Sequence, residues 1–210
     1  MTESLGAFGW DEDWAASFER LSVSGRRPAR VTAQHRERWT IQMEEGARSA
    51  RLLGANREGP VPVTGDWVVV APGPHESDPW SVLSVLPRRS EVRRGSAGEA
   101  RSEQVIASNV DRLWIVQALD RAPNLRSLER SLAVAWESGA SPEIVLTKSD
   151  LAADPEDAAE TVRTVAFGVP VRVVSAADGA AVASLRATLA PGQTVALLGP
   201  SGAGKSTLIN

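Results

Sequence analysis

A chain of 210 residues accommodates one large domain or two small ones, and 42% hydrophobic against 23% charged residues supplies a core and argues against disorder as its main theme. No apolar run approaches the ~18 residues of a membrane span, the absence of Cys excludes a disulfide framework or a thiolate zinc site, and His35 and His75 stand too isolated for an imidazole site. The net charge of −3 conceals a basic middle: residues 1–25 carry −4, 26–101 carry +4 and 102–210 carry −3. The N-terminus lacks the basic and apolar regions of a secretory signal, so a cytoplasmic, membrane-free chain is expected.

In chain order, Trp10, Trp14, Phe18 and Leu21 recur at helical spacing and predict an amphipathic helix over 10–24, with Asp11, Glu12 and Asp13 enriching its start. Short strands follow at 29–33, 38–43, 48–53, 66–71 and 80–86, separated by turn chemistry at Glu45-Gly46, Gly59-Pro60 and the Pro-Gly-Pro of 72–74. Five short strands in about 60 residues fit a small closed β-barrel over 26–87, OB-like or SH3-like, and pattern alone does not choose between them. Residues 88–104, with four Arg between 88 and 94, read as a basic linker. From 105 onward strands alternate with helices: strands at 111–118, 143–147, 169–174 and 194–198, and helices at 124–138, at 155 onward with Asp154 as cap and Gly168 as its end, and at 180–189. Such alternation implies a parallel sheet covered on both faces, with ligands at the carboxyl ends of its strands.

The strongest chemical signal lies at the end of the chain. Gly199, Pro200, Ser201, Gly202, Ala203, Gly204, Lys205 and Ser206 match GxxxxGK[ST] after an apolar strand and ahead of a helix. Glycines let the backbone wrap a phosphate, amides around 202–206 point at its oxygens, Lys205 neutralises the β and γ groups, and Ser206, with Thr207 beside it, offers a hydroxyl to Mg²⁺. This loop does not name the base. Upstream, Thr147-Lys148-Ser149-Asp150 follows the second strand of the α/β region and has the form [NT]KxD. A carboxylate at Asp150 accepts from both the ring N–H and the exocyclic amine of guanine, which adenine does not offer, while the Lys148 stem covers the base. Ser175-Ala176, after the third strand, has the form of the short SA motif that meets the guanine carbonyl. Of 23 basic residues only Lys148 and Lys205 are Lys, and both fall in these motifs.

Asp150 precedes Lys205, the reverse of the order in a Ras-like GTPase, so the α/β region resembles a circularly permuted GTPase domain. Together with Gly65-Asp66-Trp67-Val68, Leu86-Pro87-Arg88-Arg89-Ser90 and the stretch from Ile106 to Asp111, these motifs make residues 27–210 resemble the family of ribosome small-subunit-dependent GTPase A. The resemblance implies a multi-domain β plus α/β protein, an OB-like barrel followed by the permuted P-loop domain. Its implied activity is cytoplasmic hydrolysis of GTP to GDP late in small-subunit maturation, stimulated by that subunit. The OB domain is expected to contact rRNA, with the Arg-rich middle neutralising phosphates and Trp39 or Trp67 either stacking on bases or, the reading favoured for so small a barrel, filling its core. A monomer with GTP or GDP and Mg²⁺ is expected, and Zn²⁺ only in a Cys/His domain of the family that this sequence lacks. The sequence ends at Asn210, before the family's switch threonine and DxxG segment, so a fragment with negligible hydrolysis of its own is expected, and no catalytic base is named. Two other readings stay open: an ATPase or nucleotide kinase using the P-loop alone, and an RNA-binding module without catalysis.

Overall fold

The computed structural model describes residues 5–21, 24–52, 59–75, 77–94, 104–175 and 178–209. The predicted site residue Ala176, Asn210, residues 22–23 of the first helix, residue 53 of the third strand and residues 95–103 of the basic stretch lie outside them. The chain divides into two compact units, Met1–Val110 and Asp111–Asn210.

In the first unit a 3-10 turn at Leu5–Phe8 and helix α1 (Glu12–Leu21) precede β1 (Arg27–His35), β2 (Arg38–Met43), β3 (Gly46–Leu52), β4 (Trp67–Ala71) and β5 (Trp80–Val85), which close into a barrel in the order β1-β2-β3-β5-β4. Every neighbouring pair is antiparallel except β3 and β5, which run parallel. That is the five-stranded Greek-key arrangement of the OB fold, so topology decides between the two barrels that pattern leaves open.

Period-two alternation builds the interior: along β2, Trp39, Ile41 and Met43 are buried while Arg38, Thr40 and Gln42 are less so. Strand β4 reads as a continuous apolar run because both of its faces are covered. Val68 and Val70 join the barrel core with Val31, Ile41 and Val82, whereas Trp67 and Val69 form a second cluster with Trp14 and Leu86. Through this second cluster Leu5, Phe8, Trp10, Trp14 and Phe18 pack against the barrel. Asp11 caps α1, accepting from the Trp14 amide at 2.9 Å, and Trp10 meets Trp67 edge-on at 4.7 Å. Neither Trp39 nor Trp67 is a stacking face. Trp39 is 5% exposed with its indole N–H donating to the Pro62 carbonyl at 2.8 Å, and Trp67 is fully buried.

Residues 88–94 differ from the predicted linker. β6 (Glu91–Arg94) pairs antiparallel with β7 (Gln104–Ser108), and Arg88 is held inward. Its guanidinium grips the fully buried Asp66 carboxylate, Nε to Oδ1 at 2.7 Å and Nη2 to Oδ2 at 2.8 Å. Ser108 Oγ donates to Asp66 Oδ1 at 2.5 Å and the Val63 amide to Oδ2 at 2.8 Å. Asp66 also holds the Arg88 guanidinium above its ordinary pKa, through that hydrogen bond more than through any other influence. Asn109 extends the knot, its amide donating to the Gly65 carbonyl at 3.0 Å and its oxygen accepting from the Arg89 amide at 2.9 Å. Gly65, at φ +97°, lies so close to Ser108 that a Cβ would stand 2.0 Å from the Ser108 carbonyl oxygen. Gly65, Asp66, Arg88, Arg89, Ser108 and Asn109, drawn from three separate stretches of the sequence, therefore knit one polar junction and act on the fold. The linker boundary fails because desolvated pairing, invisible in local composition, turns charged residues into interior ones.

The second unit holds β8 (Arg112–Ala118), α2 (Leu125–Ser138), β9 (Ser141–Thr147), α3 (Pro155–Ala166), β10 (Val171–Val173), α4 (Gly179–Arg186), β11 (Val195–Leu198) and α5 (Lys205–Ile209). Its four strands are parallel in the order β10-β9-β8-β11. Trp114, Val116 and Val145 pack with Leu185 of α4 and Leu208 of α5 on one face. The alternate residues Leu113, Ile115, Ile144 and Leu146 are buried on the other, where α2 contributes Leu128, Leu132 and Ala135. Caps fix the helix starts: Asn124, Asp154 and Asp178 each accept from amides of the following turn, and Pro155 opens α3. β10 is shorter than predicted because the Val169 amide completes the turn after α3, donating to Ala166. No described helix is long and apolar enough to cross a membrane.

Candidate functional site

Three strand exits of the second unit carry the predicted site residues. Gly199 leaves β11 against β8, where a Cβ would stand 2.3 Å from the Val116 carbonyl oxygen, so only glycine lets the loop depart there. Pro200, Ser201 and Gly202 form the exposed turn, Ala203 is buried beneath it, and α5 begins at Lys205. The Lys205 ammonium folds over the loop, donating to the carbonyls of Gly199 at 2.8 Å and Pro200 at 2.7 Å. Ser206 and Thr207 are exposed in the first turn of α5.

Thr147 joins the two motifs. Buried at the end of β9, its hydroxyl donates to the Ala203 carbonyl at 2.7 Å, and Gly204 passes close enough that a Cβ would come within 3.3 Å of the Thr147 oxygen. The first residue of the TKSD sequence therefore seats the loop that ends in Lys205. Past it, Lys148 adopts a left-handed conformation (φ 56°, ψ 38°), which is unusual for a residue with a side chain. Ser149 starts a 3-10 turn, its amide reaching the Val174 carbonyl, and Asp150 accepts from the Ser175 hydroxyl at 2.5 Å. Thr147, Lys148, Ser149, Asp150 and Ser175 thus gather at adjoining strand ends, with the loop of 199–206 tied to them through Thr147.

Two residues of this end of the sheet carry no motif and were not predicted. Gln117 bridges the start of α2, donating to the Asn124 carbonyl and accepting from the Asn124 amide, both at 3.2 Å. It lines a cavity of about 280 Å³ with Asn124, Ser127, Pro200 and Ala203. Asp120, just beyond β8, accepts from the Lys148 ammonium at 2.5 Å, and that hydrogen bond holds its carboxyl below the usual range. The buried carboxylate of Glu143 belongs elsewhere. It stands near the start of β9 and is engaged by the Trp114 indole at 3.0 Å and Arg172 at 2.8 Å. Among the described residues no cluster of three or more His, Cys, Asp or Glu could hold a metal.

A parallel sheet whose phosphate-loop motif leaves its last strand, after a TKxD motif at an earlier strand end, defines the class: a P-loop α/β domain in circularly permuted order, preceded by an OB barrel. The chain belongs to the RsgA GTPase family, whose model matches residues 85–210. Its relatives include proteins named small ribosomal subunit biogenesis GTPase RsgA from Opitutus terrae (42% identical, covering 99% of this chain and 60% of that protein), Methanosarcina acetivorans (41%, 96% and 54%) and Streptomyces coelicolor (40%, 99% and 57%). The chain therefore spans 54–60% of the length of these relatives. Solved structures share the fold: YjeQ from Thermotoga maritima, at TM-score 0.68 and 24% identity over 88% of this chain and 64% of that one, and YloQ, described as a circularly permuted GTPase, at TM-score 0.65 and 21% identity over 89% and 64%.

Proposed function

We propose that the second unit binds guanine nucleotide, and that the whole protein hydrolyses GTP in the cytoplasm while assisting biogenesis of the small ribosomal subunit, the role carried in the names of its relatives. The observation that supports the first part is the Thr147 hydrogen bond to the Ala203 carbonyl, which ties the strand end carrying Lys148 and Asp150 to the loop carrying Lys205. In this assignment Lys205 leaves the loop carbonyls for the β and γ phosphates, and the backbone from Gly199 to Ser206 wraps them, with Pro200, Ser201, Gly202, Ala203 and Gly204 forming the loop. Asp150, oriented by Ser175, accepts from guanine, and Ala176 adds a backbone amide. Mg²⁺, when bound, neutralises charge on the phosphates. The exposed Ser206 hydroxyl, a hard oxygen beside Lys205, suits that cation, with Thr207 next to it. Zinc does not fit these residues, which include no Cys and only His35 and His75. Titrating the chain with GDP and ADP tests the assignment: at least 100-fold preference for GDP is expected from a carboxylate left poorly paired by adenine, and equal affinity would favour an ATPase or kinase.

The barrel is proposed to touch rRNA. With Trp39 and Trp67 interior, support comes from its rim, where Arg26, Arg27 and Arg48 line a pocket of about 520 Å³ with Glu45 and the partly buried Trp80. Glu45 and Arg48 lie on the β2–β3 hairpin and Trp80 opens β5 after the β4–β5 loop, positions that OB folds use for oligonucleotides. Arg26 and Arg27 lie at the start of β1, where Arg27 pairs with Val70 near the end of β4. On a single-stranded rRNA fragment, exchanging Arg26 and Arg48 for Gln should reduce the slope of log affinity against log salt by about 0.7 per lost phosphate contact. An unchanged slope would remove this surface from the proposal.

A further inference from the structure

The exit of β8 meets the exit of β9 at two points. The Leu119 amide donates to the Thr147 carbonyl at 2.8 Å, and one residue later the Asp120 carboxylate takes the Lys148 ammonium at 2.5 Å. Between these contacts Lys148 is held in the left-handed region, so the peptide group that precedes it and the ammonium at the end of its four-carbon stem are both tied to the segment just past β8. Lys148 and Asp120 are each about one-third exposed, so the pair sits at the open edge of the strand ends. Lys205 lies elsewhere, on the carbonyls of its own loop.

We propose that Asp120 is a positioning residue for base recognition: by fixing the Lys148 ammonium it holds the Lys148 stem as one wall of the base pocket. This rests on the guanine-nucleotide assignment above and adds a residue that no motif marks. The pair divides the work of the two lysines. An ammonium satisfied by Asp120 does not compete for phosphate, which leaves that role to Lys205, and a stem fixed before binding loses less rotamer freedom when a base arrives. Asp120 itself touches no ligand in this assignment. Its effect should therefore follow the base and not the phosphates.

The test uses the intact chain, GDP as the full ligand and inorganic tripolyphosphate as a ligand without a base. Asp120→Asn keeps the size of the side chain and removes its charge. It is expected to weaken GDP about three- to tenfold, in keeping with a partly exposed ion pair acting through a neighbour, while tripolyphosphate affinity and the melting temperature stay unchanged. Asp120→Glu, which restores the charge on a longer arm, should recover most of the GDP affinity. Equal GDP affinity in the parent and Asp120→Asn would overturn the proposal, as would parallel losses for GDP and tripolyphosphate, which mark a general role in the fold. If the parent chain binds tripolyphosphate but shows no gain from the guanosine of GDP, the base-binding assignment falls, and this role with it.

Discussion

Replacing Arg88 by Ala is expected to destabilise the barrel unit by about 3–5 kcal/mol, the range for breaking a buried ion pair from one side. The size follows from what is left behind. Asp66 has no exposed surface and takes four hydrogen bonds, two of them from Arg88. Without the guanidinium, a carboxylate with only a hydroxyl and one amide remains in the interior. Arg88→Lys should recover little, because an ammonium cannot reproduce the planar fork that fits both carboxylate oxygens. Arg163 on α3 provides the contrast. Its pairs with Glu156 and Glu160 are exposed, and its removal should change stability little. Denaturant unfolding of the three variants checks this, and an Arg88→Ala protein as stable as its parent would show that the junction of Asp66, Ser108 and Arg88 does not hold the barrel unit together.

Lys205→Ala is expected to weaken GDP binding by about 100-fold or more, since in the proposed assignment it removes a charge-assisted contact to the diphosphate. Lys205→Arg should fail nearly as badly. The ammonium sits within 2.8 Å of two carbonyls of a tightly wound loop, and a planar guanidinium does not fold into that space. Tripolyphosphate binding should fall in parallel, the reverse of the pattern for Asp120→Asn. Calorimetric titration with both ligands separates the lysines, and a Lys205→Ala chain that binds GDP like its parent would exclude this loop as the phosphate site.

What the sequence discloses and what it conceals divide along the range of the interaction. Residues 124–138 and 155 onward read correctly because their signals are local: Asn124 and Asp154 accept from amides two or three residues away, and Pro155 cannot sit deep inside a helix. The glycine-rich turn between β11 and α5 is legible for the same reason, since eight consecutive residues carry its motif. β2 and β4 show themselves by alternation or by an apolar run. By contrast β6 buries only Val92 of its four residues, too weak a pattern to separate from a polar linker, and owes its existence to β7. The pairing of Asp66 with Arg88 spans 22 residues and that of Asp120 with Lys148 spans 28, so neither leaves a local trace. The Gly-Asp-Trp-Val stretch of 65–68 and the Leu-Pro-Arg-Arg-Ser stretch of 86–90 stand apart in the sequence, and only the fold reveals that they meet. Thr147 is an intermediate case. The motif names the residue, and the structure supplies its bond to Ala203.

The base preference of Asp150 tests the proposed function most directly, because a P-loop serves many enzymes and the carboxylate that accepts from Ser175 is the group proposed to read guanine. The measurement is a titration of the chain and of Asp150→Asn with GDP and xanthosine diphosphate. Asparagine offers a donor where xanthine presents a carbonyl and guanine an amine, so the parent should prefer GDP and the variant should reverse that order, with each preference at least about tenfold. A variant that keeps the parent's order and affinities would contradict the assignment and leave the loop of 199–206 as a phosphate site with no base reader.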